Sequence, residues 1–399
     1  MLIIWYTVGE GMFSSVVKGV LFVMVVKNVN VFGEDFTFKK GDITIAGELF
    51  SENSANDLGD FDVIDADGLF AIPGLVDIHL HGCVGYDFTD ADESGLKEMI
   101  RFKAVHGVTS LCPATLTLPE NQLSEACKRI SALSDEDGSA IVGIHLEGPF
   151  LSYNKRGAQN PDYLRAPEVD MIDRLQKDAN GLVKLIAIAP ELDGALDAIR
   201  ELSERGIRVS LAHTEASYDL AMKAFESGAR QVTHLFNGMP AFHHREPGLI
   251  GAARDFKLCT PELICDDVHV HPSVVRATFD MFGDDRIIMI SDSMMATGMA
   301  DGIWDLGGLE VEVKGNLAYL TSTGSIAGSV TSLMGCLRTA VMEMGIPLES
   351  AIKCSSVNPA KAIGIFDKVG SIAPNKYADL VLLDKDLNVK KVILRGKVL

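Results

Sequence analysis

Residues 74–81 read GLVDIHLH, an almost unbroken apolar run that ends in two histidines separated by one residue. Seven comparable runs follow along the chain: GVTSLCPATL at 107–116, AIVGIHLEGPF at 140–150, VKLIAIAPE at 183–191, IRVSLAHTE at 207–215, QVTHLFNG at 231–238, ELICDDVHVH at 262–271 and RIIMISDS at 286–293. Near-continuous apolar runs are typical of parallel strands that are buried on both faces. Segments with helical character lie between them, at 93–106, 119–133, 193–205, 217–228 and 272–282. The alternation indicates repeated βα units.

Eight such units predict an α/β fold, a (β/α)8 TIM-like barrel that spans residues 73–367. A doubly wound open sheet is the alternative. That alternative is disfavoured because no glycine-rich dinucleotide-binding turn follows the first strand. We therefore expect the middle of the chain to form one barrel domain.

The two chain ends differ from the middle. Residues 24–72 and 368–399 read as short β segments separated by Gly and Asp turns, without a helical period. We expect them to form one small β-sandwich domain. Residues 12–26 are strongly apolar but shorter than the roughly 20 residues of a membrane-spanning helix, and they lack signal-peptide flanks. We expect residues 1–23 to be an N-terminal extension, with a membrane anchor as the alternative.

Composition restricts the partners. The chain has 399 residues and a formal net charge of −19, so it repels nucleic acid and anionic membrane surfaces overall. An anionic small substrate would need local cations or backbone N–H groups. The seven cysteines are scattered and form no CxxC pair, which favours a reducing compartment. We expect a cytoplasmic protein that binds neither nucleic acid nor membrane.

Most of the ten histidines stand at the ends of the apolar runs. In a barrel these positions meet at the carboxyl end of the strands, where active sites of this fold lie. His79 and His81 are two residues apart on a strand and so point to the same face, which allows both to reach one cation. Imidazole and carboxylate ligands suit Zn²⁺ or Fe²⁺, with Co²⁺ or Mn²⁺ as further choices.

Two carboxylates also end apolar runs. Glu147 is followed by Gly148-Pro149, which ends the strand; a buried salt bridge is the alternative role for its side chain. Asp292 could be a ligand, a general base or both, since a carboxylate beside an activated water can accept its proton. Its alternative role, an N-cap, is weaker because the residues that follow it do not resemble a helix.

Together the blocks PGLVDIHLHG, HLEGPF, AHT, THLFNGMP, REPG and ISDS resemble the amidohydrolase superfamily and, within it, the N-acetylglucosamine-6-phosphate deacetylase family. The resemblance runs from about residue 24 to residue 399. It implies hydrolysis of the acetamide of N-acetyl-D-glucosamine 6-phosphate to D-glucosamine 6-phosphate and acetate, in amino sugar catabolism or recycling. It also implies a homodimer and one or two divalent metal ions per chain.

By position, the resemblance implies roles for particular residues. Glu147, His213 and His234 would bind the main metal, and His79 and His81 would bind a second metal that Glu147 bridges. Asp292 would be the catalytic acid and base, and His269 would contact the substrate carbonyl. The remaining substrate contacts would be Ala158, Asn237, Gly238, Arg245, Ile326, Ala327 and Gly328, with Arg245 on the phosphate. Alanine is common in the family where this chain has Gly238.

Two other functions remain open from the sequence. One is a related amidohydrolase, such as an N-acetylgalactosamine-6-phosphate deacetylase, because no residue excludes the sugar epimer. The other is a metal-free scaffold that keeps the barrel without its chemistry. A scaffold would be expected to lack ligands, whereas every candidate ligand is present here.

Overall fold

The computed structural model describes residues 4–8, 11–15, 22–58, 60–134 and 137–399. Near the N-terminus, strands β1 (Ile4–Val8) and β2 (Gly11–Ser15) pair in an antiparallel hairpin. Much of the expected extension over residues 1–23 lies outside the described residues, so its status stays a prediction. No helix in the described ranges is both long enough and apolar enough to cross a membrane.

Strands from both chain ends share one mixed sheet. Its members are β3 (Val23–Phe32), β4 (Phe38–Ala46), β5 (Leu49–Ser51), β6 (Asp62–Asp65) and β7 (Phe70–Pro73), with the C-terminal β23 (Leu380–Leu383), β24 (Val389–Leu394) and β25 (Lys397–Val398). The short helix α1 (Ala55–Leu58) precedes β6. Antiparallel pairing of β7 with β23 joins the two ends, and Ile45, Leu380 and Ile393 are buried together beneath the sheet. The chain ends therefore meet as expected, while closure of this sheet into a sandwich stays a prediction.

The middle of the chain forms the barrel. Its strands are β8 (Leu75–Asp77), β11 (Val108–Leu111) continued by β12 (Ala114–Thr115), β13 (Ala140–Ile141) continued by β14 (Ile144–Leu146), β15 (Val183–Ile188), β16 (Arg208–Leu211), β17 (Gln231–Val232), β18 (Thr260–Ile264) and β19 (Ile288–Ile290). Each pairs in parallel with its neighbour in chain order. The Asp292 amide donates to the His79 carbonyl at 3.0 Å, and the His81 amide donates to the Ser293 carbonyl at 2.8 Å. These bonds join the end of the last strand to that of the first and close the TIM-like barrel. The segment after β8 also contains the short antiparallel pair β9 (Gly82–Cys83) and β10 (Tyr86–Asp87).

Helices follow the strands and cover the barrel. They are α2 (Glu93–Val105), α3 (Glu120–Ser131), α4 (Val169–Asp178), α5 (Ala195–Glu204), α6 (Tyr218–Glu226), α7 (Gly248–Asp255), α8 (Pro272–Phe282), α9 (Leu333–Met342), α10 (Leu348–Ile352) and α11 (Asn358–Ala362), with a π-helical turn at Lys353–Val357 and 3₁₀ turns at Tyr153–Lys155 and Pro161–Tyr163. The helix expected over 193–205 begins only at Ala195, because Gly194 has φ +77°, outside the helical region. The helix expected from residue 217 begins after Ser217, whose hydroxyl caps it.

A small antiparallel sheet follows the last barrel strand. It contains β20 (Gly302–Leu306), β21 (Leu309–Lys314) and β22 (Leu317–Leu320). Its apolar face, which includes Leu306 and Val311, packs on Leu116 and Met294 at the carboxyl end of the barrel. This sheet was not expected from the sequence, and it forms part of the wall around the site described next.

Candidate metal centre and active site

Six polar side chains cluster where the barrel strands end. His79 and His81 follow β8, Glu147 follows β14, His213 follows β16, His234 follows β17 and Asp292 follows β19. All six are buried, and Asp292 and His213 have the largest exposed fraction at 7%. The parallel barrel brings these residues together because the carboxyl ends of its strands share one rim.

Glu147, His213 and His234 form the tightest group. Glu147 Oε1 lies 3.2 Å from His213 Nε2 and 3.0 Å from His234 Nε2. The two Nε2 atoms are 3.1 Å apart. Three potential ligand atoms thus converge on one point, the arrangement that a divalent cation requires.

His79 and His81 contact the same carboxylate. His81 Nε2 lies 3.2 Å from Glu147 Oε2, and His79 Nε2 lies 3.5 Å from Glu147 Oε1. Asp292 Oδ1 is 3.5 Å from His79 Nε2 and 3.4 Å from His81 Nε2. Glu147 is therefore shared by two histidine pairs, and each pair could hold a cation together with it.

Charge in the cluster supports a cation there. Burial alone would lower the pKa of His81, yet Asp292 and Glu147 raise it to about 10. Burial would raise the pKa of Asp292, yet His81 and His79 lower it to about 2. Protons on imidazole thus balance the buried carboxylates, and a divalent cation can supply that positive charge instead. His79 Nε2 and His234 Nδ1 are also buried without a hydrogen-bond partner among the described residues. The donor set therefore fits a divalent metal.

Backbone geometry at the strand ends is unusual. His213, His234 and Asp292 all have positive φ, at 43°, 29° and 49°. Non-glycine residues rarely adopt this region, and such residues concentrate at functional sites. Gly238 also has positive φ, and a Cβ there would lie 2.8 Å from His213 Nδ1. Glycine in place of the family's common alanine therefore lets the chain pass close to this imidazole.

Contacts around the cluster hold two of its side chains. The Lys155 carbonyl accepts a 2.8 Å hydrogen bond from His213 Nδ1, which leaves Nε2 to face Glu147. Gln159 donates its amide to Glu147 Oε2 at 2.7 Å. Neither Lys155 nor Gln159 was identified from the sequence, because each acts through a loop that follows the strand rather than at a strand end.

Asp292 lies between two anchored serines. Ser291 Oγ donates to Asp77 Oδ2 at 2.6 Å, and Lys103 Nζ donates to Ser293 Oγ at 2.5 Å. Asp77 and Lys103 are both fully buried. The first strand and helix α2 thus fix the backbone on both sides of Asp292.

The other strand-end histidines have different surroundings. His269 Nδ1 donates to Asp266 Oδ2 at 2.8 Å, and the imidazole lines the cleft over the cluster. His145 is fully buried beside His79, with ring centroids 4.7 Å apart. His271 is exposed and accepts a bond from the Ser273 amide at the start of α8. Only His269 of these three faces the cleft.

A cleft of about 440 Å³ opens above the cluster. It is lined by five of the expected substrate-binding residues besides His269, namely Ala158, Asn237, Gly238, Ile326 and Gly328. Ala327 is buried behind this surface. Arg245 is exposed and is not among the described residues that line the cleft, whereas Lys155, which the sequence did not indicate, lines it.

Comparisons with known proteins identify the family. The model of the amidohydrolase family matches residues 70–399. An N-acetylglucosamine-6-phosphate deacetylase of Bacillus subtilis (strain 168) is 37% identical over 332 residues, which is 82% of this chain and 84% of the relative. An N-acetylgalactosamine-6-phosphate deacetylase of Escherichia coli O157:H7 is 35% identical over 84% of this chain and 89% of the relative.

Two solved structures of similar proteins cover most of this chain. An N-acetyl-D-glucosamine-6-phosphate deacetylase mutant of Mycobacterium smegmatis, in complex with N-acetyl-D-glucosamine-6-phosphate, has a TM-score of 0.86 and 34% identity, covering 95% of this chain and 99% of that one. The enzyme of Pasteurella multocida has a TM-score of 0.88 and 29% identity, covering 95% and 100%. On sequence, fold and strand-end ligands together, this chain belongs to the amidohydrolase family.

Proposed function

We propose that this protein hydrolyses the acetamide of N-acetyl-D-glucosamine 6-phosphate to D-glucosamine 6-phosphate and acetate, with a divalent metal, in amino sugar catabolism or recycling. One observation carries the proposal: Glu147 contacts two histidine pairs, and it lines a cleft of about 440 Å³ together with Asp292. The names of the similar proteins supply the substrate.

The donor set decides which metals fit. Glu147, His213 and His234 would bind the main metal, and His79 and His81 would bind a second metal together with Glu147. Imidazole and carboxylate ligands favour Zn²⁺ or Fe²⁺, with Co²⁺ or Mn²⁺ next. When bound, such a cation would polarise the acetamide carbonyl and make a water molecule more acidic.

Asp292 would move the proton. Its pKa of about 2 keeps it a carboxylate at neutral pH, so it can accept a proton from water as the new C–O bond forms. The same carboxyl group then delivers that proton to the nitrogen as the C–N bond breaks. Without this delivery the leaving group would be an amide anion, and cleavage would stall.

His269 would stabilise the carbonyl oxygen. Its Nδ1 is held by Asp266, which leaves Nε2 as the ring atom available to substrate. Burial alone would lower the pKa of His269, but the hydrogen bond to Asp266 raises it. An N–H donor held at this position suits the negative charge that develops on the oxygen during attack.

The sugar and its phosphate would bind along the cleft. Ala158, Asn237, Gly238, Ile326, Ala327 and Gly328 are the proposed sugar contacts, with backbone N–H groups at the glycines. We propose Arg245 for the phosphate, although in this structure it is exposed beside the loop after β17. Lys155 is the second candidate because it lines the cleft.

The galactosamine epimer is the second candidate substrate, because one similar protein is named an N-acetylgalactosamine-6-phosphate deacetylase. Acetate release from both 6-phosphates, measured on the metal-loaded protein, decides between them. We expect a higher kcat/KM for the glucosamine epimer, and a preference for the galactosamine epimer would replace the proposed substrate.

We further propose a cytoplasmic homodimer whose terminal sheet closes as a β-sandwich. All seven cysteines are free and buried, in keeping with a reducing compartment. The dimer follows from the family resemblance alone, and light scattering after size-exclusion chromatography tests it by mass.

A further inference from the structure

Glu262 is a fully buried carboxylate inside the barrel, on β18, directly beneath the proposed metal centre. Its Oε2 lies 3.0 Å from His79 Nδ1 and accepts a 3.2 Å hydrogen bond from the His234 backbone amide. Its Oε1 accepts a hydrogen bond from the Gln231 side-chain amide. One carboxylate thus contacts a proposed ligand of each metal, the imidazole of His79 and the backbone of His234.

The contact with Glu262 decides which nitrogen of His79 carries the proton. A carboxylate only accepts hydrogen bonds, so Nδ1 must be the donor. In the neutral imidazole, Nε2 then has a free lone pair. That atom is buried, has no hydrogen-bond partner in the described part of the chain, and lies 3.5 Å from both Glu147 Oε1 and Asp292 Oδ1.

Gln231 fixes the orientation of the Glu262 carboxylate. Arg208 Nε donates to Gln231 Oε1 at 2.6 Å, so the amide oxygen faces the guanidinium and its NH₂ group faces Glu262. Within the described ranges, no lysine or arginine lies at ion-pair distance from Glu262. Among the described residues, the ion-pair partner of Glu262 is His79.

We propose that Glu262 is a positioning residue for the metal bound by His79 and His81. It orients the His79 ring and keeps its proton on Nδ1, so that the lone pair of Nε2 is free to bind the metal. Carboxylates behind metal-binding histidines commonly act in this way, and their loss weakens metal affinity by roughly 10- to 100-fold. This proposal rests on the proposed function, because it assumes that His79 and His81 bind metal.

The test is Glu262→Gln, which keeps the shape of the side chain. Its amide can face Nδ1 as a donor and shift the imidazole proton to Nε2, the atom that must bind metal. The probe is Zn²⁺ added to chelator-treated protein, with bound zinc measured per chain by competition against a chromophoric chelator. We expect the second zinc to bind about 10- to 100-fold more weakly while the first stays bound.

Two controls distinguish a role of Glu262 in positioning His79 from a role in stabilising the fold. Glu204→Gln removes an exposed carboxylate on α5 and should bind zinc like the wild type. In a His81→Ala background, which leaves only the Glu147–His213–His234 position, Glu262→Gln should weaken zinc binding by less than tenfold. The Tm of metal-free Glu262→Gln should stay near that of the metal-free wild type, whereas the rise in Tm on adding zinc should shrink.

Two results in Glu262→Gln would overturn the proposal. One is wild-type affinity for both zinc ions, and the other is an equal loss at both positions with a fall in the metal-free Tm. If the wild type itself binds one zinc and still releases acetate, this proposal fails and the proposed function survives. Should Glu262→Gln not fold, Gln231→Leu replaces it; a smaller loss confined to the second zinc supports the proposal, and unchanged affinity contradicts it.

Discussion

Glu147 is the residue on which the site depends. Its two oxygens lie within 3.5 Å of the Nε2 atoms of four histidines, His79, His81, His213 and His234. Burial would raise the pKa of Glu147, but these imidazoles lower it well below its usual range. Because a buried carboxylate is stable only when it is paired, the histidines and Glu147 require one another.

The first prediction concerns Asp292→Asn. Asparagine keeps the shape of the side chain but can neither accept nor return the proton, so turnover should fall by roughly 10²- to 10⁴-fold. Metal content should stay near that of the wild type, because the proposed ligands are untouched. Acetate release and metal analysis on the same preparation check both parts, and turnover close to wild type would remove Asp292 from its proposed role.

The second prediction separates the two metal positions. His213→Ala and His234→Ala should lose the main metal and activity together, since each removes one of three converging ligand atoms. His79→Ala should lower only the occupancy of the second position. Metal per chain is the measurement. Loss of all metal in His79→Ala, with metal kept in His213→Ala, would mean that the main position is misassigned.

At the scale of elements, the strand ends were the predictable part of the site. Apolar runs predict strands, and the barrel places every strand end at one rim, so His79, Glu147 and Asp292 could be brought together from sequence alone. Loops have no such periodicity. For that reason Lys155 and Gln159, which hold the ligands from the loop after β14, were not identified.

The small sheet of β20, β21 and β22 was also missed, although residues 302–320 carry a usable signal. Gly307-Gly308 and Gly315-Asn316 mark its two turns. These three antiparallel strands are an insertion after the last barrel strand, and the repeated βα pattern does not predict such an insertion. The terminal sheet was expected in its location, because alternating short segments recur at both ends of the chain.

The third prediction concerns helix α2 and its link to the last strand. Lys103 is fully buried and its charge acts on the buried Asp77, whose pKa burial nevertheless raises. Lys103→Met should lower the free energy of unfolding by about 1.5–3 kcal/mol, because it removes the buried, charged hydrogen bond from Nζ to Ser293 Oγ and the positive charge that acts on Asp77.

The matched control is Lys97→Met on the same helix. Lys97 is partly exposed and pairs with Glu93 Oε1 at 2.8 Å, so its loss should cost about 0–1 kcal/mol. Urea unfolding of both variants provides the comparison. Equal losses of unfolding free energy in the two variants would show that the buried Lys103 stabilises the contact between α2 and the end of β19 no more than a partly exposed lysine does.

At the scale of the whole molecule, the negative net charge determines how a phosphorylated substrate can be bound. A net charge of −19 gives a phosphorylated sugar no long-range attraction, so the phosphate must be held by local cations. Composition predicts this need but cannot locate the cation. The REPG block indicates Arg245 as this cation, whereas Lys155 is a cation that lines the cleft.

The fourth prediction compares these two cations. A lost hydrogen bond to a charged group costs about 1.5–3 kcal/mol, and more where it is desolvated, so Arg245→Ala should reduce kcat/KM for the 6-phosphate by roughly 10- to 1000-fold. The unphosphorylated sugar should be barely affected. Steady-state kinetics with both sugars, on Arg245→Ala and Lys155→Ala, identify the anchor. An equal loss on both sugars in Arg245→Ala would assign that residue to the fold or the metal site.

The most direct test of the proposed function is acetate release coupled to metal analysis, with N-acetyl-D-glucosamine 6-phosphate and its unphosphorylated analogue. We expect one or two divalent metal ions per chain and rapid acetate release from the 6-phosphate. We also expect much slower release from the analogue, and loss of activity on chelation that added metal restores. Metal-loaded protein that releases no acetate from the 6-phosphate, or that works equally well after its metal is removed, would contradict the proposed function.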